Sequence, residues 1–172
     1  MSKPSYRIAV LAMFTAFTLI LSYVEALIPV SYGYGLKLGL ANIAIVTILY
    51  SFSEKEAFIV NLLRICIIGL LFGNAISFIL SLTGGLLSMI MMAMAKKFKL
   101  FTVITVSIIG ALAHNIGQLI AAYFVTSVPG LMFYLPVLLI GGLITGAIIG
   151  IISKIIIKAL KEIMKNDSVF KR

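Results

Sequence analysis

The chain has 172 residues, 62% hydrophobic and only 11% charged, with fourteen Lys and Arg against five Asp and Glu for a net charge of +9. So apolar a composition lies far outside the soluble-globular range, and the length leaves no room for a soluble catalytic domain beside the apolar stretches. The positive charge is not spread as a nucleic-acid binder would carry it; it is segregated by stretch, as the elements show when taken in order.

A bilayer core about 30 Å thick takes roughly 20 helical residues to cross. Six apolar stretches approach that length, at 8–28, 36–52, 57–72, 75–95, 100–125 and 131–157, followed by a basic tail at 158–172. The first ends near Pro29, ahead of a loop containing Tyr32, Gly33, Tyr34 and Gly35. Ser53 precedes the third stretch as an N-cap, and Gly73-Asn74 marks a tight turn before the fourth. Lys96-Lys-Phe-Lys99 separates the fourth from the fifth, and Pro136 predicts a kink or a displaced start early in the sixth.

With the amino terminus inside, twelve of the fourteen basic residues fall on the inner side: Lys3, Arg7, Lys55, Lys96, Lys97, Lys99 and the six from Lys154 to Arg172. Lys37 falls outside and Arg64 within the third stretch. The positive-inside rule then predicts an all-α, six-helix membrane bundle, one domain spanning the cell membrane several times, with both termini cytoplasmic. Lys154, Lys158, Lys161 and Lys165 also form a helical stripe suited to anionic headgroups.

Small residues recur at the spacing that lets helices in lipid approach closely: Ala12 and Ala16, then Ser77, Ser81, Gly85 and Ser88, then Gly142, Gly146 and Gly150. For the later two sets the expectation is packing within the bundle. The lone Cys66 offers neither a disulfide framework nor a thiolate metal cluster.

Polar groups inside the spans need a reason. Arg64 lies midway along the third, where an Arg costs roughly 2.5–3.5 kcal/mol to insert, and Asn61 sits three residues before it on the same side. Glu25, the one acid within the spans, offers an ion pair; alternatively Arg64, with Lys37, contacts an anionic solute. In the fifth stretch His114 and Gln118 share a face with Gly110, Gly117 and Ala121, while Asn115 points about 100° round. Bonds to a neighbouring helix and contact with a solute are both open readings there. Asn42, Asn74 and Tyr34 complete the candidate substrate-binding set of Glu25, Tyr34, Lys37, Asn42, Arg64, Asn74, His114, Asn115 and Gln118. Most of these project to the outer half, which suits a site open to the outside.

No Gly-rich phosphate loop, no carboxylate cluster for Mg²⁺ and no nucleophile–base pair is discernible, so the expectation is a binding or accessory subunit without catalytic residues, cofactor or metal.

The motifs Gly35-Leu-Lys-Leu-Gly-Leu-Ala-Asn42, Leu71-Phe-Gly-Asn74, Ser81-Leu-Thr-Gly-Gly85 and Ala113-His-Asn-Ile-Gly-Gln118 resemble the Gx transporter family, whose members are often labelled heptaprenyl diphosphate synthase component I. The family is in turn similar to the substrate-binding S components of energy-coupling factor (ECF) transporters. That resemblance implies a six-helix S-component-like fold, capture of a small anionic or amphipathic solute at the outer side, and partnership with a coupling subunit and ATPases. It also implies docking on the coupling subunit through Ala12 and Ala16. The family label implies the alternative, a non-catalytic membrane accessory subunit of polyprenyl diphosphate synthesis.

Overall fold

The computed structural model describes residues 3–27, 39–98 and 100–166. Every element among them is helical: α1 (Lys3–Leu27), α2 (Asn42–Ser51), α3 (Glu54–Phe72), α4 (Ala75–Lys97), α5 (Val103–Thr126), a 3₁₀ helix (Pro129–Tyr134) and α6 (Leu135–Asn166). Four stretches are long and apolar enough to cross a membrane: Arg7–Glu25, Ala75–Lys97, Val103–Thr126 and Pro129–Ile163. The protein is membrane-embedded. Helix α3 has 19 residues but carries Glu54, Lys55, Glu56 and Arg64, and α2 has only ten.

Two elements depart from the sequence expectation. The second helix, expected over 36–52, begins at Asn42, because Gly39 takes a positive φ of 79° that ordinary residues resist. Gly39 and Leu40 carbonyls then accept from Asn42 N–H and Ile43 N–H, closing a turn instead of a helical run. At the other end, 158–166 is not a tail but the last turns of α6, since Lys, Ala, Leu, Glu and Met all favour helix. Its 32 residues make a rod of about 48 Å, longer than the hydrocarbon core. Pro136 falls in the first turn of α6, where its missing N–H costs nothing, and the 3₁₀ helix supplies the displaced start.

Short polar caps start the inner helices. Ser53, Asn74 and Thr102 each accept from the backbone N–H three residues on, satisfying donors that lipid would leave bare.

Among the described residues the helices run alternately, so that the start of α1 and the end of α6 lie at one end. There α1 is tied to α3 by a two-point Arg7–Glu56 ion pair, each N–O distance 2.8 Å. At the opposite end Tyr23 packs on Phe72 with ring centroids 4.7 Å apart and the planes tilted by 53°, which makes α1 and α3 parallel neighbours. Helix α2 is buried all round from Asn42 to Leu49 and occupies the half nearer the termini. Its last carbonyls receive the Lys96 ammonium, 2.6 Å from Leu49 O.

Close backbone approach holds α4, α5 and α6 together. A methyl group on Gly146 or Gly150 would fall 2.8 Å from Ile108 Cα or 2.7 Å from Ile104 Cα, so no side chain fits between α6 and α5. Gly117 and Gly84 meet in the same way across α5 and α4, at 2.9 Å. Without a hydrophobic drive between helices in lipid, this contact area supplies the cohesion. Two apolar cores cap the bundle, one around Ile45, Ile48, Leu49 and Met92 at the terminal end, the other around Leu80, Leu119 and Leu131 opposite.

Candidate functional site

Between those cores lies the polar interior. Thr18, Ser22 and Glu25 stand at helical spacing on α1 and are all buried, while Met13, Phe17 and Ile20 on its other side are exposed. The inward face of the second half of α1 is therefore polar, while in its first half Leu11 and Phe14 pack on the apolar core.

Arg64 on α3 faces this stripe, only 7% exposed. Its Nη2 donates to Asn61 Oδ1 at 2.8 Å and its Nη1 to Ser22 Oγ at 3.4 Å. Asn61 in turn donates to Gly85 O of α4 at 3.1 Å, so the pair bridges three helices. The guanidinium Nε is buried and has no hydrogen-bond partner among the described residues. A buried cation normally has its donors matched, because the desolvation cost is several kcal/mol.

Glu25, 4% exposed, accepts from Gly39 N–H. This explains how a broken helix is tolerated at membrane depth. Irregular backbone there must be buried in protein or line a cavity, and its freed N–H must find an acceptor. A carboxylate at the entry to α2 also matches the positive end of that helix. Arg64 and Glu25 attract one another through space, but among the described residues the direct ion pair is Arg7–Glu56. Arg64 and Glu25 instead line one cavity, together with Ser22, Gly39, Gly69, Ser81 and His114. The cavity measures about 390 Å³ counted out to its open side, with only about 20 Å³ roomy enough for whole water molecules, about one by that measure.

The sequence candidates divide accordingly. Glu25, Arg64 and His114 come together in the cavity. Gln118 is fully buried one turn from His114, both against Gly84, where an added methyl would meet Gln118 Cγ at 2.7 Å. Asn42 sits beside Gly39, its amide 3.0 Å from where a methyl on that glycine would lie. Asn74 is exposed and caps α4, accepting from Ser77 N–H at 2.8 Å. Asn115 turns away to α6, donating to Leu138 O at 2.8 Å. Tyr34 and Lys37 lie outside the described residues. Ser22 was not among the candidates; the i, i+4, i+7 spacing of Thr18, Ser22 and Glu25 is the signal that points to it.

Among the described residues no three His, Cys, Asp or Glu side chains converge on one point. Elsewhere an almost wholly apolar groove of about 730 Å³, measured as the polar cavity's 390 Å³ is, runs between α3 and α4, lined by Phe58, Ile59, Met89 and Ile90 with Glu54 and Lys55 at its rim.

A helical, membrane-embedded bundle with a charged cavity at its centre is the class these features define. The chain matches the heptaprenyl diphosphate synthase component I family over residues 14–156, more than four-fifths of its length, and belongs to that family. No curated protein and no solved structure matches it. The family match contains every described residue of the cavity and begins just past Ala12.

Proposed function

We propose that this protein is the substrate-binding membrane subunit of an ECF-type uptake transporter, capturing a small solute from the outer side without catalysing a reaction. The observation that carries the reading is Arg64: a buried cation, facing a cavity it shares with Glu25 and His114, with one donor unmatched among the described residues. Packing alone would favour an apolar residue there, because replacing a buried ion by a well-packed hydrophobe is commonly neutral or stabilising. An intramembrane ionisable group in a cavity marks a solute path or site by default. Asn42, beside Gly39, and Gln118, one turn from His114, are assigned to the same site, as are Tyr34 and Lys37 on the 28–38 connection. The termini are cytoplasmic on this reading.

Energy must then come from a coupling subunit and ATPases. Ala12 and Ala16 are exposed on α1, as a docking face requires. A second reading rests on the family name: a membrane accessory subunit that recruits a prenyl diphosphate synthase chain to the terminal end of the bundle. Purification of the tagged protein from its host in mild detergent, with identification of the proteins that accompany it, separates the two. A coupling subunit and ATPases, lost on Ala12→Leu/Ala16→Leu substitution, support transport. A soluble prenyl synthase chain without ATPases would replace transport by the accessory role.

A further inference from the structure

We infer that the last turns of α6 are a binding surface for anionic phospholipid, with Lys154, Lys158, Lys161 and Lys165 taking headgroup phosphates on the side of the membrane where α1 begins and α6 ends. The surface is distinct from the solute cavity and does not depend on it.

From Ile148 onward α6 has three faces, roughly a third of a turn apart. Ile149, Ser153 and Ile157 are buried against the bundle, Ser153 donating to Ile43 O of α2 at 3.1 Å. Ile148, Ile152, Ile155, Ala159 and Ile163 follow at steps of three or four on a second face and are exposed. The four lysines form the third face and are all exposed. A positive inner side needs lysines but not a common face for them, and the helix dipole accounts only for Lys165 in the last turn. Lysines three and four residues apart repel along a helix, and the one ion pair among the described residues, Arg7–Glu56, relieves none of them. Glu162, one turn from Lys158 and from Lys165, is the one acid in 154–166, so four lysines against it leave a net charge of +3. Asp167, Lys171 and Arg172 beyond do not change the sign. The stripe calls for a counter-charge from outside the chain.

Its depth says where that charge lies. The Ser153 bond sets Lys154 level with the start of α2, about 9 Å short of the Leu49 carbonyl that Lys96 reaches. From Lys154 to Lys165 the helix rises about 16 Å, so the stripe ends nearly as far beyond that level as it begins short of it. Standing upright, α6 would hold Lys154 in hydrocarbon and Ile163 in water. A helix longer than the hydrocarbon core tilts or leans. With its last turns leaning along the interface, the isoleucine face meets acyl chains and the ammoniums reach phosphates, as on an interfacial amphipathic helix. Anionic headgroups attract each such Lys. An acidic protein would answer the lysines alone; lipid answers both exposed faces.

The test reconstitutes the purified full chain in vesicles of equal phosphatidylglycerol and phosphatidylcholine, extracts it in mild detergent and counts the retained lipid per protein. The wild type is compared with Lys154→Gln/Lys158→Gln/Lys161→Gln/Lys165→Gln and with Lys55→Gln/Lys97→Gln, which removes charge at the same end and leaves α6 intact. Monodisperse elution confirms that each is folded; if the fourfold variant is not, Lys154→Gln/Lys158→Gln decides by the same criterion. The expected result is enrichment of phosphatidylglycerol by the wild type and by the Lys55/Lys97 variant, shrinking with added salt. In the α6 variant the enrichment falls at least about fivefold, the size of one Lys near an anionic surface. No enrichment in the wild type, enrichment unchanged in the α6 variant, or an equal fall in the Lys55/Lys97 variant would overturn the inference. An acidic protein held through these lysines, with no preference for phosphatidylglycerol, would overturn it too and make the stripe a protein-docking face.

Discussion

The two sides of this bundle are built on opposite terms. Across α4, α5 and α6 the contacts are glycine against backbone, and the polar side chain between α5 and α6 is spent on structure, Asn115 bonding Leu138 O. Between the inner parts of α1 and α3 a polar patch is buried, with Ser22, Glu25, Asn61 and Arg64 around a gap. In lipid, helices cohere by contact area, so a gap lined by charges is a cost that packing does not explain. On the proposed reading the glycine-packed side is the frame and the polar side holds the solute.

The sharpest way to break this contrast is to overfill the frame. Gly146→Leu forces a side chain into Ile108 backbone, and destabilisation of about 1–3 kcal/mol or more is expected, read as a lower melting temperature of the detergent-solubilised protein. A comparable change on the exposed α1 face, Ala16→Leu, should move stability by no more than about 0.5 kcal/mol.

On the polar side stability and binding should separate. The double replacement Arg64→Met/Glu25→Gln removes both buried charges and keeps an acceptor for Gly39. An unchanged or raised melting temperature is expected, together with loss of solute, since neutralising a buried charge pair is often stabilising. A large fall in stability instead would make the two charges part of the frame.

Asn115→Leu should cost about 0.6 kcal/mol, up to about 1.7, typical of an interhelical bond in a membrane, and leave solute retention intact. Loss of solute in that variant would blur the division between the two sides.

The smallest effect lies at the terminal end. Hydrogen bonds from Arg7 above all hold the Glu56 carboxyl below its usual range. A group depressed in the folded state stabilises fully above its unfolded pKa, and that stabilisation disappears as pH falls through the folded value. Stability should therefore decline below roughly pH 4–5, and Glu56→Gln should flatten that decline by less than about 1 kcal/mol, because the pair is partly solvent-exposed. A pH series of melting temperatures on both proteins reads it directly.

Helical character was legible throughout, because long apolar runs in lipid have few other ways to satisfy their backbone. The break at Gly39 was not: Leu36 to Phe52 reads as one apolar run, and only the tertiary demand for a cavity and the Glu25 acceptor make the turn pay off. Arg64, Glu25 and His114 stood out in sequence because their burial is expensive. Asn74 and Asn115 looked equivalent to them, yet a cap and an interhelical clip absorb them, and side-chain type alone does not distinguish those uses. Ser22 was missed because one serine on an apolar helix carries no cost large enough to notice, and its meaning depends on the Arg64 it faces.

The claim that Arg64 belongs to a solute site is tested most directly by weighing solute against protein in the wild type and in Arg64→Lys, both purified from the host and matched for folded fraction. The expected result is near-stoichiometric small molecule in the wild type and at least a tenfold drop, roughly one charge-assisted hydrogen bond, in the variant. Equal retention by the two proteins would contradict it, and Arg64 would then be a bridge between helices and nothing more.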